Sequence, residues 1–280
     1  MSEFGTKRDR LIELIRSFDS IAVAFSAGVD STVVAKAAQL ALGDKAVAVT
    51  STSASLAAGE LDEAKSLAKR IGIEHIVLET KEFSNPDYWR NAPDRCYHCK
   101  TELYTQLDCL AERLGVKVTL NGANVDDAGD YRPGMRAAAE HEVRSPLADC
   151  GFTKADVRAL AAAWRLPVAD KPATPCLSSR VAYGEEVTPD RLRMIDEAEQ
   201  FLRSCGFREV RVRYHRGDLA RIEVPVEKLE SLAESGLMSR IIGHLSGLGF
   251  RFVTLDLQGF RSGSLNSLVQ LTPTAGIDQP

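Results

Sequence analysis

Short apolar runs alternate with amphipathic stretches through the first 166 residues, and this rhythm constrains the fold more than any other feature of the chain. SIAVAF (20–25), KAVAVT (45–50), HIVLET (75–80) and KVTLNG (117–122) read as buried strands. Between and after them, 30–42, 58–72, 99–115 and 153–166 carry apolar residues at helical spacing, and the second of these helices ends on Gly72. A short helix near 134–141 and a further strand at EVRSPL (142–147) complete the pattern. Strand–helix alternation of this kind predicts an α/β fold: a doubly wound parallel sheet with helices on both faces.

LPVADKPATP (166–175), with three prolines, interrupts the rhythm. Beyond it the order changes: a helix opens at Thr188-Pro189 and is stopped by Gly206. EVRVRYH (209–215) and LARIEVPV (219–226) flank an Arg-Gly-Asp turn as a hairpin. Helices at 227–235 and 237–248 and a strand at 251–257 follow. This is a smaller α+β unit. The expected organisation is a first domain over 1–166, a linker carrying Cys176 over 167–187, the α+β domain over 188–265 and a tail over 266–280.

A length of 280 residues suits two cores. The net charge of −4 and pI near 5.8 leave no overall basic footprint for nucleic acid or an anionic membrane. MSEFGTKRDR has no apolar leader region, and no run of 18 apolar residues occurs, so a cytoplasmic protein without membrane contact is expected. Six cysteines without a leader do not form a disulfide framework; in a reducing compartment they are core residues, metal ligands or catalysts.

FSAGVDST (25–32) lies where a doubly wound sheet binds anions, between the first strand and its helix. Ser26 and Ser31 offer hydroxyls, Gly28 allows close backbone approach, and the helix start offers N–H groups. There is no G-K-[ST] and no G-x-G-x-x-G. The bland alternative is a strand-to-helix turn with Asp30 as N-cap. S-[GA]-G-x-D-S at this place resembles the pyrophosphate loop of the PP-loop ATP pyrophosphatases. That resemblance implies cleavage of ATP between its α and β phosphates and adenylation of a substrate oxygen. Ser26, Gly28 and Ser31 would hold pyrophosphate, Asp30 would position Mg2+, and Gly122 would join the ATP site. Ala27 departs from the usual glycine; a positive φ there costs alanine about 1 kcal/mol.

Cys96 and Cys99 form a CxxC pair at the start of a helix, and Cys176 lies among prolines and small residues in KPATPCLSSR. Arg180 is a candidate for lowering the Cys176 pKa. Three thiolates can hold three irons of a [4Fe–4S] cluster, leaving the fourth open to a substrate sulfide. Zinc with His98 as a further ligand, a CxxC redox pair and buried structural cysteines are the competing readings. Cys109 and Cys205 read as core, and Cys150 has no assigned role.

In NGANVDDAGDYRPG (121–134), Asp126, Asp127 and Asp130 crowd one loop at the carboxyl edge of the sheet. Turn chemistry and magnesium or pyrophosphate positioning both fit, and Arg132 is a candidate phosphate contact. Arg211 and Arg213 share a face of one strand, with Arg221 on the next and Glu223 close by. Arginine–glutamate pairing and an anion clamp both fit.

FSAGVDST, NGANVDDAGDYRPG, CLSSRVAYG, VRVRYH with ARIEVP, and FVTLDLQGFRSG together span residues 25 to 263. Together they resemble the LarE family of sulfur transferases, in its three-cysteine form. The resemblance implies a pyridinium dicarboxylate mononucleotide as substrate. ATP adenylates a carboxylate and sulfur displaces AMP, in two rounds, to give the thiocarboxylates of the nickel-pincer nucleotide. It places Cys96, Cys99 and Cys176 on a [4Fe–4S] cluster, Arg211 and Arg213 on the substrate phosphate, and Glu199, Ser179 and Arg180 along the substrate site. It also implies a sulfide or other sulfur donor and a homo-oligomer. The rival of the same superfamily is a tRNA thiolation enzyme, which predicts a basic RNA-binding surface. An ammonia-using synthetase and a nucleotide sensor that never turns over ATP are more distant.

Overall fold

A computed structural model describes residues 3–129, 133–232, 234–261 and 265. Asp130, Arg132 and the tail 266–280 lie outside them. The described chain divides into two compact units, one of Met1–Trp89 with Asp94–Cys176, the other of Arg90–Pro93 with Leu177–Pro280. No helix among the described residues is long and apolar enough to cross a membrane.

The first unit runs α1 (Glu3–Arg16), β1 (Ile21–Ala24), α2 (Val29–Leu42), β2 (Ala46–Thr52), α3 (Glu60–Ile71), β3 (Glu74–Glu79), α4 (Pro86–Trp89), α5 (Arg95–Leu114), β4 (Val118–Leu120), α6 (Pro133–Glu140), α7 (Pro146–Asp149) and α8 (Lys154–Ala163). Its four strands lie in the order β3-β2-β1-β4, and every pairing is parallel. Strand alternation sorts the core into two layers. Ile21, Val23, Ala46, Ala48 and Leu120 face a cluster completed by Leu11, Ile15, Val33, Leu67 and Leu160 of α1, α2, α3 and α8. Ala22, Val47 and Val49 face the opposite way, onto Leu103, Tyr104, Leu107 and Leu110 of α5 and Ala137 and Ala138 of α6. Each fully buried Leu or Val in these layers contributes on the order of 1.5–3 kcal/mol. The sheet is therefore doubly wound, as its sequence rhythm predicts.

Two local expectations are corrected. EVRSPL is not a strand: a single parallel bridge joins Arg144 to Leu120, and α7 begins at Pro146. Proline fits a first helical position and cannot donate to a ladder, so the edge pairing stops there. Helix α5 starts at Arg95, four residues earlier than expected, which puts the whole CxxC pair in its first turns.

The second unit contains α9 (Pro189–Ser204), β5 (Arg211–His215), β6 (Leu219–Glu223), α10 (Leu229–Leu232), α11 (Ser235–Gly247) and β7 (Phe252–Leu255). β5 and β6 form the expected hairpin, with Gly217 and Asp218 both at positive φ in the turn. β7 joins β6 in parallel. The Thr188 side chain accepts the Arg191 N–H and caps α9. Leu192, Ile195, Ala198 and Leu202 form the buried stripe of α9. Asn91, at φ 57° and fully buried, donates its side-chain amide to the carbonyls of Val181 (3.2 Å) and Ala182 (2.9 Å).

Candidate active site

The loop between β1 and α2 is held by its own small residues. Ala27 sits at φ 55° and is buried, the left-handed turn that glycine adopts without strain. Gly28, not Asp30, is the N-cap residue of α2. The Ser31 hydroxyl donates to the Gly28 carbonyl (3.2 Å) and accepts the Ser26 N–H (3.2 Å), while the two serine hydroxyls lie 3.1 Å apart. Ser26, Gly28 and Ser31 thus surround one helix start, where N–H groups and the dipole favour an anion.

Three distant segments close on this loop. A Cβ on Gly122 would lie 2.8 Å from the Ser31 backbone nitrogen, so only glycine lets the end of β4 approach so closely. Asn124 donates its side-chain amide to Asp30 Oδ1 (3.1 Å), and Lys154 at the start of α8 pairs with Asp30 Oδ2. The Lys171 ammonium donates to the Ala27 carbonyl (3.3 Å) and pairs with Glu63 (2.7 Å). A loop with no lysine of its own thereby acquires two from 124 and 144 residues away. Neither was singled out in the sequence, because each is an ordinary lysine until the fold places it.

Asp126 and Asp127 have turn roles here. Asp126 Oδ2 accepts the Lys154 N–H (2.7 Å) and Asp127 Oδ2 accepts the Asn124 N–H (2.9 Å). They shape the segment that presents Asn124 and Lys154 to Asp30.

Cys96, Cys99 and Cys176 belong to this same unit, and Cys99 interacts electrostatically with both Cys96 and Cys176. Cys96 and Cys176 are exposed and Cys99 is partly exposed; all three are free thiols. Burial pushes the Cys99 thiol up to about 12, with Cys176, Glu82 and Cys96 adding to the rise against Lys100. Two cations flank the sulfurs. Arg95 is buried, with its guanidinium 3.9 Å from Cys96 Sγ. Burial opposes its charge, but Cys176, Cys96 and Tyr88 hold its pKa above the usual arginine value. Lys100 is likewise raised, by Tyr104 and the three cysteines against the cost of burial. Within this unit Arg95 is a cation that interacts with Cys176. His98 lies 3.4 Å from Asp94 on its own helix. Among the described residues no three His, Cys, Asp or Glu side chains are gathered closely enough to hold a metal ion. The donor chemistry, three soft sulfurs beside two cations, suits an anionic iron–sulfur group.

In the second unit the arginines are organised by two buried glutamates. Glu199, on the apolar stripe of α9, accepts from Arg180 Nε (3.1 Å), Arg203 (2.6 Å) and the Val212 N–H (3.1 Å). Glu223 accepts two bonds from Arg213 (2.9 and 2.8 Å) and pairs with Arg221 (3.2 Å), which stands opposite Arg213 in the β5–β6 register. Arg213 also donates to the Ser179 carbonyl, and Arg180 to the Ser179 hydroxyl, each at 3.1 Å. Arg211 is buried next to Phe260. Burial lowers its pKa, and Arg180, Arg213 and Arg203 lower it further against the pull of Glu199. Five arginines thus gather around two glutamates, with Arg211 pressed by like charges. The arrangement has capacity for an anion that a bidentate guanidinium can hold.

Residues 12–88 match the NAD synthase family. Nearly the whole chain aligns with the uncharacterized protein slr1717 of Synechocystis, 44% identical over 264 residues, covering 94% of this chain and 98% of that one. It is also 39% identical over 268 residues to the pyridinium-3,5-bisthiocarboxylic acid mononucleotide synthase of Lactiplantibacillus plantarum, covering 95% and 96%. The tRNA-specific 2-thiouridylase MnmA of Azorhizobium caulinodans is 32% identical over 191 residues, only 54% of this chain and 48% of that enzyme. With both full-length alignments running through the anion loop, the cysteine helix and the arginine strands, the chain belongs to the LarE family, that of the pyridinium-3,5-bisthiocarboxylic acid mononucleotide synthase.

Proposed function

We propose that this protein is an ATP-dependent sulfur transferase that converts the carboxylates of a pyridinium-3,5-dicarboxylate mononucleotide into thiocarboxylates; the name of its Lactiplantibacillus relative gives the corresponding bisthiocarboxylic acid mononucleotide as product. The observation that carries the reading is the presence, in one compact unit, of an anion loop and three free cysteines beside two cations. ATP lays its β and γ phosphates against Ser26, Gly28 and Ser31. Lys154 and Lys171 supply the positive charge that the loop lacks, and Gly122 leaves the room. A carboxylate oxygen of the substrate attacks the α phosphorus, pyrophosphate leaves, and an acyl-adenylate forms. Sulfur then attacks the acyl carbon and AMP departs. These residues supply orientation and charge in place, with little reorganisation during the reaction.

Asp30 would hold Mg2+, a hard cation suited to a carboxylate and phosphate oxygens, which spreads the charge of the departing pyrophosphate. Cys96, Cys99 and Cys176 would hold a [4Fe–4S] cluster, which supplies an iron site for a transferable sulfide. Arg95 and Lys100 balance the charge of anionic sulfur at this place. If no cluster forms, the donor is the Cys176 sulfur itself, exposed in a loop outside any helix: its Sγ attacks the acyl carbon as AMP leaves, and β-elimination then breaks the Cβ–Sγ bond, freeing the thiocarboxylate and leaving dehydroalanine at position 176.

Arg211 and Arg213 hold the substrate phosphate, with Glu199 and Glu223 fixing their strand and Ser179 and Arg180 lining the same region. The linker 167–187 joins the ATP domain (1–166) to the substrate domain (188–265). The working protein is a cytoplasmic homo-oligomer supplied with sulfide by a separate donor. The test is anaerobic incubation with ATP, Mg2+, sulfide and the mononucleotide, with AMP, pyrophosphate and product followed together. Bulk tRNA serves as the rival substrate, since part of the chain is similar to a 2-thiouridylase. Sulfur in the tRNA and none in the mononucleotide would replace this reading.

A further inference from the structure

Glu82 has no part in the account above, yet it is the most sharply posed carboxylate in the first unit. It follows β3 in a short helical turn and is only 2% exposed. Its Oε1 accepts the hydroxyls of Ser53 (2.5 Å) and Ser55 (3.2 Å), both on the segment after β2. The Ser55 N–H in turn donates to the Ser53 hydroxyl (3.2 Å), so the acceptor side of the carboxylate is fixed. Its other oxygen, Oε2, is buried and has no hydrogen-bond partner among the described residues.

A buried acceptor left unpaired is costly, and native folds seldom keep one without a use. The surroundings indicate what the use is. Glu82 follows the carboxyl end of one parallel strand and the two serines follow the next, on the edge where ligands bind in this architecture. It lies within electrostatic reach of Cys99, the cysteine of the CxxC pair that is most withdrawn from solvent. The carboxylate is a buried acceptor in a turn packed on the helix that carries Cys96 and Cys99, and its natural complement is a small donor.

We propose that Glu82 is a binding residue for the incoming sulfur: with Oε1 held by Ser53 and Ser55, Oε2 accepts the hydrogen of an S–H-bearing inorganic sulfide beside Cys99. This rests on the sulfur-transfer reading of the site. The serine pair makes the acceptor rigid, and Arg95 and Lys100 offset the charge of a sulfide held next to a carboxylate.

Glu82→Gln tests it, because the two serines keep the amide oxygen at the Oε1 position and so put an NH2 group where Oε2 stood. The probe is sodium sulfide, titrated anaerobically in the complete reaction, with the KM for sulfide and the KM for ATP measured side by side. The expected result is a KM for sulfide raised about ten-fold or more, the worth of one hydrogen bond to a charged acceptor, with the KM for ATP unmoved. Equal sulfide KM values would overturn the assignment and leave Oε2 satisfied by water. A shift confined to ATP would also overturn it, giving Glu82 to a hydroxyl of the nucleotide. Should Glu82→Gln fail to fold, Glu82→Asp, which keeps the charge but withdraws Oε2 by one methylene, must show the same selective loss. If the unmodified enzyme takes no sulfide and makes thiocarboxylate only from Cys176, the Glu82 assignment is overturned while the sulfur-transfer reading stands; if it makes no thiocarboxylate from either source, the sulfur-transfer reading itself fails.

Discussion

Gly122 and Ser31 stand so close that a methyl group on Gly122 would lie 2.8 Å from the Ser31 backbone nitrogen and 3.1 Å from the Asp30 carbonyl carbon. The end of β4 is thereby seated directly against the anion loop. Neither contact is with a flexible side chain that can yield. Gly122→Ala is expected to cost about 1–3 kcal/mol of stability through overpacking. It should also cut ATP-dependent pyrophosphate release at least ten-fold by displacing Ser31. Urea unfolding and a pyrophosphate assay on the same preparation check both.

Ala27 presents a balance of two effects. Its φ of 55° strains any residue with a Cβ, yet its methyl group is buried in the main core. Ala27→Gly relieves about 1 kcal/mol of strain and loses about 0.8 kcal/mol of burial, so its unfolding midpoint should stay close to that of the parent. Ala27→Val adds a β-branched side chain in the left-handed region and should cost about 1–3 kcal/mol. A large loss in Ala27→Gly would show that the methyl group, not the turn, governs this position.

Glu199 is the hub of the second unit, accepting from Arg180, Arg203 and the Val212 N–H while fully buried. Removing one partner of a buried ionic group leaves the other charge uncompensated, at about 3–5 kcal/mol. Glu199→Ala is therefore expected to unfold at much lower urea concentration. Arg211→Met, by contrast, relieves like-charge crowding, so it should leave stability intact or improved while raising the KM for the mononucleotide at least ten-fold. Loss of stability without a KM effect would place Arg211 in the scaffold.

The architecture and the anion loop were legible because they depend on local pattern: apolar alternation in the strands, small residues at the turn, glycine after helices. EVRSPL misled because its alternation matches a strand while Pro146 opens a helix. The sites were legible only where a motif carried them. Lys154, Lys171, Arg95 and Glu82 are unremarkable as letters, and they gain meaning from contacts with residues 27 to 144 positions away or, for Arg95, with the sulfur of the adjacent Cys96. Glu199 left a trace, a carboxylate on the apolar stripe of a helix. The pairing of Glu223 with Arg213 required the hairpin register.

Two histidines set an acid limit on stability. Burial lowers the pKa of His75, with Lys65 adding to the effect, and burial lowers that of His215, with Arg221 and Arg213 outweighing Glu223. A histidine whose folded pKa lies below its unfolded value near 6.5 takes its proton first in the unfolded chain. The stability it contributes is therefore fully present above about pH 6.5 and declines as pH falls from there towards the folded pKa. Unfolding free energy measured from pH 8 to 5 should fall on the acid side, and His215→Gln should flatten part of that slope. A slope unchanged by the substitution would exclude His215 as a source.

The central claim is that adenylation and sulfur transfer occur on one mononucleotide. The most direct measurement is mass spectrometry of that mononucleotide after anaerobic incubation with the protein, ATP, Mg2+ and isotopically labelled sulfide, with AMP quantified in the same sample. The account predicts labelled or cysteine-derived sulfur in place of a carboxylate oxygen, one AMP for each exchange, and no exchange in Cys176→Ser. AMP formed without any sulfur entering the mononucleotide, or exchange that persists in Cys176→Ser, would contradict it.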